Sequence, residues 1–145
     1  MKVYCAAKSK HAPWFRSLQA AGVPISATWI HWDGNRDGAD EPTADQWSRH
    51  WGACIAQAAE CDVCLFVSLS GETSCGALLE AGAALASGRC VYVVSPDKWT
   101  FAHHPRCRVF PNLESAIAAI MAMQAGEWSR QNRLVTDGRL DMAVI

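Results

Sequence analysis

The sequence lacks three features that would point to a membrane or to nucleic acid. No apolar run approaches the roughly 18 residues that a membrane span needs. The amino-terminal segment lacks the long apolar stretch of a secretory signal peptide. The 13 basic residues are balanced by 14 acidic ones, so no strongly charged surface is available for nucleic acid or anionic lipid. We therefore expect a cytoplasmic protein with no membrane partner and no nucleic-acid partner.

The cysteines do not suit a disulfide framework, because there are seven of them, and we expect a reduced chain. Cys61 and Cys64 have C-x-x-C spacing but straddle the start of a predicted strand, whereas redox pairs lie at a helix amino terminus. No second C-x-x-C is present to complete a zinc site. We expect no metal and no cofactor, and we expect Cys5, Cys61, Cys64 and Cys90 to be buried.

Hydrophobic patterning and turn residues predict strands that alternate with helices along the chain. The predicted strands are residues 2–6, 25–32, 63–69, 90–95 and 108–110. The predicted helices are residues 13–21, 44–59, 77–88 and 113–125. This order indicates an α/β fold, a Rossmann-like (flavodoxin-like) five-stranded parallel sheet with helices on both faces.

Length and helix-capping residues indicate one domain followed by a tail. The 145 residues suit a single domain, which we assign to residues 1–125. Thr43 and Asn112 are of the type that caps helix amino termini, and each precedes a predicted helix. Residues 126–145 are polar and contain no predicted element. This tail is either a flexible end or an arm that packs on a partner subunit.

The loops that follow the predicted strands are where a ligand is expected. In open parallel sheets, ligands bind beyond the carboxyl ends of the strands, at a reversal of strand order. In the loop after the third predicted strand, Gly71, Ser74 and Gly76 precede a helix whose free N–H groups can bind an anion. Phosphate binding is one interpretation of this turn. The other is that its glycines serve only the geometry of a strand-to-helix connection.

Glu80 lies one turn into that helix among alanine, leucine and glycine residues. A carboxylate on such an apolar face is costly unless it is exposed, paired or used in chemistry. It therefore either faces solvent on the outer side of the helix or lies beside the small residues Gly76, Gly82 and Ala83, which leave space for a ligand. In the second case it can attack a sugar carbon or stabilise an oxocarbenium ion.

These residues form a pattern that resembles a known family. Asp62-Val-Cys-Leu-Phe-Val, followed by Gly76-x-x-x-Glu80-x-Gly82-x-Ala-Leu-x-x-Gly88-Arg-x-Val91, is similar to the nucleoside 2-deoxyribosyltransferases and their relatives, the deoxynucleoside 5′-monophosphate N-glycosidases. The resemblance covers most of residues 2–120. It implies cleavage or base exchange at the N-glycosidic bond of a 2′-deoxyribonucleoside or its 5′-monophosphate, and a homodimer or larger homo-oligomer.

The resemblance also implies roles for individual residues. Glu80 corresponds to the nucleophile that attacks C1′ and forms a glycosyl-enzyme ester, and Tyr4 to the tyrosine that orients it. Ser74, six residues before Glu80, corresponds to the serine that holds the 5′-phosphate in the monophosphate glycosidases, where the transferases have an aspartate. Cys54 stands where the family has an aspartate that donates a proton to the base. His50, on the same helix face, is either a substitute acid or an ordinary exposed histidine.

Three further residues are candidates for binding the substrate, the two tryptophans at the base and His103 at the phosphate. Trp14, near the first loop, either lines the base pocket or packs its helix on the sheet. Trp99 and His103 belong to the loop of residues 96–107, which either covers a nucleotide or is a solvated basic loop.

Cys54 leaves open whether the chemistry is altered, the substrate is altered, or activity is lost. A non-catalytic nucleotide-binding or signalling protein on the same fold is therefore the main alternative to an enzyme. An NAD- or ADP-ribose-type glycosidase is a second alternative, since such enzymes also use a glutamate beside a ribose.

Overall fold

The computed structural model describes residues 1–35 and 38–138 of the chain. Its four strands are β1 (Val3–Ala6), β2 (Val63–Val67), β3 (Cys90–Val94) and β4 (Cys107–Phe110). Its four α-helices are α1 (Ala12–Ala20), α2 (Ala44–Glu60), α3 (Cys75–Ala86) and α4 (Leu113–Gly138). Strands and helices alternate, so the predicted α/β class is confirmed.

The strands form one parallel sheet in the order β1-β2-β3-β4. Every residue of β1 and β2 is buried, as expected for parallel strands that helices cover on both sides. Tyr4 is paired with Cys64, and both point towards the face that α2 and α3 cover. Val67 and Val94 are also paired, and they point to the opposite face, where they line a cavity with residues of α1 and α4.

The predicted second strand, residues 25–32, is wrong. Only Ile25 is paired, through a single bridge to Val3, and residues Thr28–His31 form a 3₁₀ turn. Trp29 and Ile30 are nevertheless buried, by tertiary contacts rather than by a ladder, and the Trp29 indole N–H donates to the Cys5 carbonyl oxygen at 2.7 Å. The bridge lies on the outer side of β1, so the chain order reverses beside β1, as in a flavodoxin-like sheet.

Helix α4 is longer than predicted. It begins where expected, because the Asn112 side chain accepts a hydrogen bond from the Ser115 N–H at 2.8 Å, but it continues to Gly138. Part of the segment taken as a tail is therefore helical, and residues 139–145 lie outside the described part of the chain. Like the other described helices, α4 is not long and apolar enough to cross a membrane. A role of this segment in subunit packing stays a prediction.

All seven cysteines are free thiols. Cys5, Cys61 and Cys64 are buried as predicted, but Cys90 is exposed, because it is the first residue of β3 and lies at the end of the sheet. Among the described residues, no three His, Cys, Asp or Glu side chains cluster in a way that could hold a metal ion.

The amino terminus of α2 provides a test of local stability. The Thr43 hydroxyl accepts the Gln46 N–H at 3.2 Å, and the Gln46 side chain accepts the Thr43 N–H at 2.8 Å. We expect Thr43→Ala to lower the free energy of unfolding by about 1 kcal/mol, because it leaves a helix N–H without its partner. Ser48→Ala, on the exposed face of the same helix, is the control and should stay within about 0.5 kcal/mol in urea unfolding. Equal losses in the two variants would contradict the cap.

Candidate active site

A cavity of about 320 Å³ opens beyond the carboxyl ends of β1 and β2, beside α2 and α3. Five of the predicted site residues line it, namely His50, Cys54, Ser74, Gly76 and Glu80. They come from α2, from the turn after β2 and from α3. The loops after β1 and β2 border the cavity, as expected for a ligand site at the carboxyl ends of parallel strands, whereas the loop of residues 96–107 contributes nothing to its lining.

Glu80 is the only acidic side chain that lines this cavity within the described ranges, and it is 6% exposed. The solvent-facing alternative for this residue is therefore wrong. Burial raises the pKa of Glu80 from its ordinary 4.5 to about 7, and the Tyr4 hydroxyl partly opposes this shift. Among the described residues, Glu80 Oε2 has no hydrogen-bond partner. The carboxyl group is thus both partly protonated and partly ionised near neutral pH.

Gly76 keeps the space beside Glu80 open. A β-carbon on Gly76 would lie 2.9 Å from Trp51 Cη2 and 3.9 Å from Glu80 Oε1. The indole would have to shift to admit such a carbon, whereas the contact with Glu80 would be an ordinary one, so glycine here allows the close approach of Trp51 to α3. Gly82, in contrast, is exposed and has open space around it, and it contributes nothing to the cavity.

Tyr4 is completely buried on β1, close to Glu80 and Cys54. Burial, and after it the negative charge of Glu80, raises the pKa of Tyr4, so the phenol stays protonated. Its hydroxyl has no hydrogen-bond partner in the described part of the chain, although Glu80 lies near enough for the two groups to influence each other's pKa. Tyr4 is therefore an unused hydrogen-bond donor beside an unused acceptor.

Cys54 and His50 face each other on α2, with Cys54 Sγ 3.7 Å from His50 Nε2. Burial raises the pKa of the Cys54 thiol to about 11 and lowers the pKa of His50. The imidazole stacks on Trp32, with ring centres 3.7 Å apart. His50 is therefore a half-buried cavity residue rather than an exposed histidine, and both groups are neutral at neutral pH.

Three tryptophans, Trp29, Trp47 and Trp51, line the cavity and are called the tryptophan wall below. Trp47 and Trp51 lie on the face of α2 that also carries Cys54, which the helical spacing indicated. Trp29 was not predicted, because it lies in the segment that was taken for a strand. The wall and Trp32 behind it account for four of the seven tryptophans.

Polar groups gather where α3 begins. Ser74 is 5% exposed, and its hydroxyl lies 2.7 Å from the Ser68 hydroxyl. Lys8, from the loop after β1, donates to the Thr73 hydroxyl at 3.2 Å and also lines the cavity. Gly71 has a φ of +80°, which shapes the turn before α3, but it does not line the cavity.

A part-buried hydrogen bond between His11 and Glu72 connects the loop after β1 with the loop after β2. His11 Nε2 lies 2.7 Å from Glu72 Oε2, and the Leu69 N–H donates to Glu72 Oε1 at 2.8 Å. Burial alone would raise the pKa of Glu72, but these donors and Lys10 hold it below its ordinary value. Sequence analysis missed this pair, because its members are 61 residues apart and no motif contains both.

The structure places three predicted substrate-binding residues, Trp14, Trp99 and His103, outside the lining of the cavity that holds Glu80. Trp14 stacks on His11 and lines a separate cavity of about 660 Å³ on the opposite face of the sheet. Trp99 packs edge-on against Phe66 of β2, and His103 is exposed. Position along the chain cannot tell which face of the sheet a side chain will cover, and a role of these three residues in substrate binding stays a prediction.

Comparison with solved structures shows which known fold the chain adopts. A 2-deoxyribosyltransferase from the psychrotolerant bacterium Bacillus psychrosaccharolyticus superimposes with a TM-score of 0.63 at 13% identity, covering 83% of this chain and 96% of that one. The CMP N-glycosidase BcmB of Clostridium botulinum gives a TM-score of 0.53 at 14% identity, covering 84% and 99%. The fold is that of the 2-deoxyribosyltransferases.

The 2-deoxyribosyltransferase fold is the one that the motif around Glu80 implied. At identities of 13% and 14% the likeness establishes the fold alone. No protein-family model matches the sequence, and no curated protein matches it significantly. Any activity must therefore be argued from the cavity itself.

The His11–Glu72 pair provides a test of loop anchoring. We expect Glu72→Gln to lower the free energy of unfolding by about 1–3 kcal/mol near neutral pH, because it removes a buried charge-assisted hydrogen bond. Since the folded protein lowers the pKa of Glu72, this stability is present above its unfolded value of 4.5 and is lost as pH falls through the lower folded value. Urea unfolding near neutral pH and in acid measures both effects. The exposed Glu60→Gln is the control, and a pH-independent loss for Glu72→Gln would contradict the assignment.

The raised pKa of Glu80 changes stability with pH in the direction opposite to that of Glu72. The unfolded chain ionises this group above pH 4.5 while the folded chain keeps the proton until about pH 7, so stability falls as pH rises between these values. We expect Glu80→Gln, which cannot ionise, to be more stable than the parent by up to about 3 kcal/mol above pH 7 and nearly equal to it in acid. Urea unfolding on both sides of this range checks the difference. A variant that is less stable than the parent in mild alkali would refute the buried, unpaired carboxylate.

Proposed function

We propose that the protein cleaves or exchanges the N-glycosidic bond of a 2′-deoxyribonucleoside or its 5′-monophosphate through a covalent bond between Glu80 and C1′. The observation that carries this proposal is one buried carboxyl group beside open space, at the reversal of strand order. The shared fold with a 2-deoxyribosyltransferase and a CMP N-glycosidase supports it. So does the motif around Glu80, which the sequence shares with that family.

The proposed reaction has two displacement steps. A Glu80 carboxylate oxygen attacks C1′, the C1′–N bond breaks, and its electron pair leaves with the base. Water or a second base then attacks C1′ and frees the carboxylate, which gives hydrolysis or transfer. Tyr4, with its unused hydroxyl beside Glu80, is the residue that positions the carboxylate in this proposal.

We assign the 5′-phosphate to the start of α3. Lys8 is the only lysine or arginine that lines the cavity within the described ranges, and it lies beside Thr73. Ser74 can donate to a phosphate oxygen while it accepts from Ser68, because one hydroxyl serves both bonds. The free N–H groups of the first turn of α3 add a favourable dipole.

Cys54 favours a second candidate function. The family aspartate is replaced by a thiol whose pKa burial raises to about 11, so the cavity is also suited to bind a nucleotide without cleaving it. A nucleotide-binding or signalling protein on this fold would keep Lys8, Ser74 and the tryptophan wall. The proposed homo-oligomer would bring in residues from a second subunit, and its existence and the cytoplasmic location stay predictions.

Base release measures the proposed function directly. We expect the parent protein to release free base from at least one member of a panel of deoxynucleosides, their 5′-monophosphates and NAD. Chromatography measures the free base. Glu80→Ala should lower this release at least about 10³-fold, because it removes the nucleophile, while the circular dichroism spectrum is unchanged. Glu60→Ala, which removes an exposed carboxylate at the end of α2, is the matched control and should retain activity.

The outcomes separate the two candidates. Unchanged release in Glu80→Ala would remove Glu80 as nucleophile. Nucleotide binding by calorimetry with no release of any base would favour the non-catalytic protein.

A further inference from the structure

The cavity holds no acid that suits a departing base. Apart from Glu80, no carboxyl group lines it in the described part of the chain. Burial keeps the Cys54 thiol protonated and His50 neutral at neutral pH, and His50 is held against Trp32 and Cys54. Lys8 is bonded to Thr73 at the start of α3, the end assigned to phosphate. The cavity therefore lacks a group suited to donate a proton to a base that must be protonated in order to leave.

The same cavity is electrostatically suited to a positive charge. The tryptophan wall borders it with three indoles, of which Trp47 and Trp51 are partly exposed and Trp29 is buried, and indole faces attract cations. The Glu80 carboxylate forms no ion pair in the described ranges, where the acidic partner of both recorded pairs is Glu72. A cation placed between this wall and Glu80 would therefore find both an aromatic surface and an uncompensated negative charge.

We propose that the site takes N-glycosides whose base is a positively charged aromatic ring, such as a pyridinium or an N-alkylated purine, and that the tryptophan wall holds this ring. The inference rests on the proposed function of Glu80 and names the class of substrate for it. It follows from a cavity that combines the tryptophan wall, one carboxylate without an ion-pair partner in the described ranges, and the Cys54 thiol at the place where the resembled family has a proton-donating aspartate.

The chemistry of such a substrate requires no acid. As the Glu80 oxygen forms its bond to C1′, the C1′–N bond breaks and its electron pair neutralises the positive ring. The base leaves as a neutral molecule and needs no proton. Water then attacks C1′, the C1′–O bond to Glu80 breaks, and the proton from water passes to solvent. A neutral base, in contrast, would leave as an anion unless a group in the cavity protonated it.

Matched substrates test this inference. 7-Methyl-2′-deoxyguanosine is a cation, and 2′-deoxyguanosine differs from it by one methyl group and one charge. Nicotinamide riboside and its neutral dihydro form are a second pair. After the enzyme-free rate is subtracted, we expect kcat/KM for the cation to exceed that for its neutral partner at least about 100-fold in one pair. Trp51→Leu should lower release from the cation about tenfold, and Trp51→Phe, which keeps an aromatic face, should lower it less.

A change at Cys54 gives an independent test. Cys54→Asp restores a carboxyl group, and we expect it to raise release from the neutral partner at least about tenfold over Cys54→Asn, with no gain for the cation. Urea unfolding shows whether both variants are folded, and the comparison of substrates with the parent protein stands without them. Values of kcat/KM for the neutral and the cationic substrate that lie within about threefold of each other would overturn the inference and leave the proposed function standing. Release that is equal in the parent and in Glu80→Ala would overturn the proposed function itself.

Discussion

The structure of the candidate site depends on the burial of one carboxyl group without a cation to pair it. Glu80 lies on a helix whose other residues are small or apolar, so nothing on α3 compensates its charge. Burial, and in addition the charge of Glu80, raises the pKa values of a phenol and a thiol, Tyr4 and Cys54, and neither group can carry positive charge. The fold therefore maintains a group that is easier to protonate than an ordinary glutamate and whose ionised form is reactive. Burial of the ionised Glu80 side chain lowers the stability of the fold, as is common where a protein holds a reactive group.

Much of the fold could be predicted from the sequence because local signals agreed with it. Continuous apolar runs indicated β2 and β3, and the capping residues Thr43 and Asn112 marked where α2 and α4 begin. Residues 25–32 misled the prediction, since buried β-branched and aromatic side chains look alike whether a ladder or a side-chain contact holds them. Only Ile25 of that segment pairs with the sheet.

The site was predictable where a motif or a helix face carried it. Glu80, Gly76 and Cys54 lie where helical spacing and the family motif indicated, and they meet in one cavity. The His11–Glu72 pair and the place of Trp29 were not predictable, because each depends on how distant segments pack. Trp14 shows the limit most clearly, since it lies in the first turn of α1, close to the loop after β1, while its side chain lines a cavity on the face of the sheet opposite to Glu80.

The hydrogen bond between His11 and Glu72 shows that the cavity depends on the integrity of the sheet. The two residues lie in the loops that follow β1 and β2, and these strands pair across about 60 residues of chain. The contact between the loops therefore depends on the pairing of the two strands, and local opening of a sheet edge disrupts such contacts together. No single local segment forms the cavity, because its lining comes from the loop after β1, from α2 and from the start of α3. Detachment of β1 would therefore remove both Tyr4 and the loop that contains Lys8 from the neighbourhood of Glu80.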